Sequence, residues 1–85
     1  MKLPVIKSLV EFIDSHDEDY VIETLEVLEH LSQAKGLKDE EVLVIAELIS
    51  NMYGSLEVSK DIKSGTAAKD ALNGFMKRVM GSIDR

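Results

Sequence analysis

Apolar residues recur along this chain at helical intervals. Ile6, Leu9, Val10 and Ile13 fall at offsets of 0, 3, 4 and 7, one stripe of a helix. Pro4 suits an opening position, because its missing N–H would have no partner in a first turn. A first helix is therefore predicted from about Pro4 to Asp14. Val21, Leu25 and Leu28 form the next stripe, widened by Val27, Leu31 and Ala34, over a second helix from about Asp17 to Lys35. In the third segment "VLVIAELI" is apolar almost all round, the mark of a helix buried on several sides or one whose far face meets a second chain. The last stripe is Ala68, Leu72, Phe75, Val79 and Ile83, broadened by Met76 and Met80.

Polar punctuation separates these stripes. Ser15 and Glu18 have the spacing of a capping box for helix two, and Asp17 and Asp19 sit where carboxylates favour a helix start. Gly36 suits the left-handed position after a helix, with Leu37 folding back on the last turn. Asp39 is expected to cap helix three, followed by Glu40 and Glu41. No strong stop occurs before "KSG" at residues 63 to 65, so helix three spans about 25 residues, nearly 40 Å. Gly54 lies inside it and either permits close helix approach or marks a kink; one continuous helix is preferred. Thr66, after Gly65, is expected to cap helix four.

The expected fold is all-α: a small bundle of about four helices, roughly antiparallel, with a long third helix, in a single domain over residues 1–85. Helices two and three are expected at its centre, with helix four packed across them. At 85 residues with no Cys, the chain must be held by apolar packing, and 45% hydrophobic residues can supply it. No signal peptide is read in "MKLPVIKSLVEFID", where Lys7, Ser8 and Glu11 interrupt the apolar positions, and no membrane span is expected. The expected location is the cytoplasm. A net charge of −6 argues against nucleic acid. The sign is uneven: Asp14 to Glu29 holds seven carboxylates and no Lys or Arg, whereas Lys69, Lys77, Arg78 and Arg85 lie near the C-terminus.

Candidate chemistry is sparse. The acidic stretch "FIDSHDEDYVIE" fails as a calcium loop in either register, since neither Asp14 nor Asp17 starts the needed alternation of oxygen ligands with a Gly at the sixth position. His16 and Tyr20, or Glu26 and His30, share a helix face, but two ligands make a weak metal site. His30 is read as a surface residue beside Glu26, because no nucleophile accompanies it. Gly54-Ser55-Leu56 brings to mind the Asp-Ser-Leu attachment site of acyl carrier proteins, but it lacks the Asp and lies inside a helix; Ser55 is read as a packing residue. Tyr53 is read as half in the core with its hydroxyl at the edge. No catalytic residue, metal ligand or cofactor is assigned.

Three stretches, "MKLPVIKSL", "ELISNMYGSLEV" and "DALNGFMKRVMGSIDR", resemble a family of short uncharacterised proteins found mainly in Bacteroidetes. The resemblance implies a bacterial cytoplasmic protein of unknown function and gives no residue a role. The leading functional expectation is a non-enzymatic interaction module that self-associates as a homodimer or binds an unknown protein partner. Its candidate surface is Val44, Leu48, Met52 and Tyr53, because three neighbouring helices in so short a chain leave apolar surface on helix three uncovered. The alternative is a small-ligand or metal-binding bundle with a site near Tyr53 or the carboxylates of 14 to 19.

Overall fold

The computed structural model describes the backbone of residues 2–83 and the side chains of residues 2–79. Four helices form, α1 (Leu3–Ser15), α2 (Glu18–Leu31), α3 (Asp39–Lys63) and α4 (Ala68–Ile83), and no strand occurs among the described residues. Met80, Ile83 and Arg85, assigned above to helix four and its basic end, have side chains outside the described set.

Several boundaries differ from expectation, each for a local reason. Ser15 does not cap α2. It closes α1, its hydroxyl donating to the carbonyls of Glu11 (3.0 Å) and Phe12 (3.3 Å). Asp17 caps α2 instead, accepting the Asp19 N–H at 3.0 Å with a charged oxygen. α2 stops at Leu31 because Ser32 turns its hydroxyl back on the Glu29 carbonyl, and Gln33 and Ala34 donate to carbonyls three residues earlier. Tight turns preserve a three-residue spacing, so Ala34 looked like helix. Lys38 rather than Asp39 is the cap residue of α3, its N–H donating to the Glu41 carboxylate at 2.9 Å.

Thr66 serves the end of α3 rather than the start of α4. Its N–H donates to the Asp61 carbonyl while Gly65, at φ +112°, donates to Ile62. This paired closure needs the left-handed conformation that Gly65 supplies.

α3 is continuous through Gly54, and three helices pack on it. Pairs of contacting residues fix the directions. α2 runs antiparallel: Glu18 meets Lys63 at 3.8 Å, and Glu29 meets Tyr53 further along. α4 also runs antiparallel, with Ala68 beside Ile62 and Lys63 and Phe75 against Gly54; the long Arg78 side chain pairs with Glu57 and Asp61 at 3.1 and 3.3 Å. α1 lies parallel to the second half of α3, because Lys2 bonds Asn51 while Ile6 packs on Gly54 and Val58.

The central pair is therefore α3 and α1, not α3 and α2. Both helices reach both core clusters: α1 contributes Ile6 to the one with Val58, Ala71 and Phe75 and Ile13 to the one with Val21 and Leu25, while α3 adds Val58 to the first and packs Ile49, Met52 and Leu56 on the second. Among the described residues α2 and α4 do not touch. Against α1, α3 presents Asn51, Ser55 and Ser59, small or short polar residues that are all buried. Asn51 accepts the Lys2 N–H at 2.9 Å and gives its own amide to the Glu47 carbonyl at 3.0 Å; Ser55 donates to Met52 at 2.7 Å. Their polar groups are thus satisfied while their small volume lets α1 sit close.

Gly54 does the same for α4. A methyl group there would stand 2.9 Å from the Phe75 ring and 3.3 Å from Ile6. At Gly74 the nearest neighbour is the Arg78 guanidinium at 3.8 Å. Opposite outcomes follow for the same substitution. Gly54→Ala should lower unfolding free energy by about 1–2 kcal/mol, since overpacking outweighs the roughly 1 kcal/mol gained in helix propensity. Gly74→Ala should raise it by up to about 1 kcal/mol. Urea denaturation of both variants measures this.

Candidate protein-interaction surface

α1 begins at Leu3, beside Asn51, so it covers only the second half of the parallel α3. The first half is left with little over it. Leu43 is 69% exposed, Val44 58% and Leu48 40%. These side chains line two adjoining grooves that share Val44. One, of about 360 Å³, runs between Lys2 and Val5 at the start of α1 and Leu43, Val44 and Leu48 on α3. The other, of about 380 Å³, lies between Leu31 and Leu37 and the start of α3, with Glu40 and Glu41 at its rim.

The four residues singled out from sequence do not form one surface. Val44 and Leu48 lie together on the groove. Met52 is half-buried and packs on the Ile13, Val21 and Leu25 cluster. Tyr53 is not half in the core as expected: it is 52% exposed, beside α2, with its hydroxyl donating to the Glu29 carboxylate at 2.5 Å. One residue of helix turns the chain by 100°, which separates Met52 from Tyr53. Lys2, Val5, Leu31 and Leu37 were missed, because the relative register of α1 and α3 leaves no mark in either helix's own pattern.

The bond to Glu29 raises the Tyr53 pKa above its ordinary value of 10.0, since a carboxylate acceptor holds the phenolic proton; desolvation and the Glu29 charge add to the shift. Sign matters here. A raised folded pKa favours the native state fully below pH 10, and that contribution is lost as pH rises through the folded value. In a Tyr20→Phe background, ultraviolet titration should therefore place the Tyr53 midpoint above 10, and Glu29→Gln should move it down.

The acidic stretch resolves into helix ends. His16 stacks on Phe12 with centroids 4.2 Å apart, and Tyr20 stands edge-on to both at 5.8 and 6.0 Å. The His16 N–H closes α1 on the Phe12 carbonyl. Among the described residues no three His, Asp or Glu side chains converge to hold a metal ion. His30 is exposed in the last turn of α2. Ser55, fully buried and bonded to Met52, offers no accessible hydroxyl for attaching a prosthetic arm.

α3 is, by length and composition alone, long and apolar enough to cross a membrane, and one third of that span is buried inside the protein. No membrane span is expected from the sequence; within α3 the apolar run carries Glu47 and the polar Ser50 and Asn51.

The shape carries a further point. The chain extends 43 × 35 × 17 Å with a radius of gyration of 13.8 Å, where a compact chain of this length would have about 12 Å. Its accessible surface is 6177 Å², which exceeds by about 1,100 Å² the area typical of a folded monomer of its mass. This is a flat all-α bundle with one uncovered apolar helix face. The chain belongs to a family of unknown function, described as "Family of unknown function (DUF6952)", whose model matches residues 1–84. No curated protein and no solved structure matches it.

Proposed function

We propose that this chain is a non-enzymatic protein-interaction module that self-associates through the first half of α3. The observation that carries this reading is the bare apolar row of Leu43, Val44 and Leu48 where α1 gives out. The excess surface supports it, because about 800 Å² per partner is enough for a standard stable interface. The same reading places the protein in the cytoplasm of a bacterium, in keeping with the resemblance to proteins of Bacteroidetes. α3 then belongs to a water-soluble bundle: Asn51 and Ser55 on its inner face have their hydrogen-bond partners within the fold, and Glu57 and Asp61 pair with Arg78 on its outer side.

Light scattering after size-exclusion chromatography tests the proposal. At high micromolar concentration the mass should be twice 9.5 kDa. Val44→Glu or Leu48→Glu should weaken association by about 2–4 kcal/mol, the cost of placing an unpaired charge in an apolar contact. Both residues are exposed in the single chain, so its helix content by circular dichroism should not change. A wild-type chain that stays at 9.5 kDa at that concentration contradicts the reading.

A further inference from the structure

We infer that the occupant of this groove is a second copy whose α3 packs antiparallel on the first, with Val44 against the partner's Leu48 and Glu40 beside the partner's Lys2. This rests on the self-association proposed above and adds its geometry.

One row of α3 carries the argument. Asn51, Ser55 and Ser59 are the residues that seat α1, and at helical spacing the same row continues backwards as Leu48 and Val44. Where α1 begins, the row passes from small polar residues to Leu48 and Val44, with Glu47 beside them on the groove. Its seat is filled by α1 on one side of that point and bare on the other. The bare part, residues 41–50, is about 15 Å long. An identical segment on a second chain presents the same length and the same apolar residues, which is what a twofold, self-complementary contact requires.

Charge decides the direction. At one end of the bare segment stand Glu40 and Glu41; Glu41 is engaged by the Lys38 N–H, and among the described residues no cation pairs with Glu40. At the other end stands Lys2, whose ammonium makes no ion pair among the described residues; Glu47 lines the same groove and is engaged by a partner of its own. Behind it lies the start of α1, whose first turn has no acidic residue to offset the positive end of its dipole. With the twofold axis midway between Val44 and Leu48, each chain's Glu40 reaches the other's Lys2 and α1 start. A parallel arrangement would instead set carboxylates against carboxylates and lysine against lysine. The antiparallel one repeats the favourable pairing at both ends.

Charge swapping and cysteine crosslinking test it together, and the chain has no native Cys to interfere. Lys2→Glu and Glu40→Lys should each raise the dimer dissociation constant by about tenfold, because each symmetric dimer carries two such pairs and reversal adds repulsion. The combined variant should return to within about threefold of wild type. On oxidation, a mixture of Val44→Cys and Leu48→Cys chains should give the mixed crosslink in preference to either variant linked to itself. A dimer in which each variant links to itself, or in which the charge swap fails to restore affinity, overturns the antiparallel geometry while self-association stands. A chain that remains monomeric removes both, and leaves the groove to a different protein.

Discussion

The fold depends on how closely α1 and α4 approach the middle of α3. Gly54 and the row of Asn51, Ser55 and Ser59 give α3 a narrow waist on two sides. Into it fit Ile6 from one helix and Phe75 from another, and these two side chains build the cluster around Val58. Larger residues at the waist would push the helices outward and open that cluster, since close-packed interiors do not absorb added volume without strain. Burying the Asn51 amide and the Ser55 hydroxyl costs little, because each donates to a carbonyl of its own helix.

From that waist the exposed surface follows as a matter of length. α3 has 25 residues and α1 has 13, and they run in the same direction with Lys2 anchored at Asn51. A helix half as long, fixed at the midpoint, covers one half. On the other half Ile49 packs on the Ile13, Val21 and Leu25 cluster, while Leu43, Val44 and Leu48 stay exposed. The ion pairs do not change this balance. Glu18 with Lys63, and Arg78 with Glu57 and Asp61, are all solvent-exposed and contribute little to stability. Burial of apolar surface is what remains to be gained, and a flat single chain leaves it ungained.

Much of the fold was legible in the spacing of Ile, Leu and Val: four helices, their order, the long third one, and its continuity through Gly54. Boundaries were less legible where two residues compete for one role. Ser15 and Asp17 both suit a helix cap, and the outcome turned on Ser15 finding carbonyls of α1 within reach. Burial followed the stripes incompletely. In α2 the widened arc was read as contact surface, yet Val27 stays 66% exposed; in α4 Ala71 rather than Ala68 is buried, one turn before Phe75 on the face that meets Gly54. The candidate surface was half legible. The apolar excess of "VLVIAELI" pointed to Val44 and Leu48, but which face of α3 would be bare depended on where α1 begins along it. That is a relation between distant segments, carried by one hydrogen bond from Lys2 to Asn51.

Concentration-dependent hydrogen exchange addresses the central claim most directly, because it reads the two halves of one helix in a single experiment. If the first half of α3 is completed by another molecule, amides over residues 42–50 should become markedly more protected as protein concentration rises. Those over residues 54–62, already enclosed by α1 and α4, should exchange at a constant rate. Equal and concentration-independent protection along the whole of α3 would contradict the account, since it would mean that the single chain already satisfies the helix at both ends.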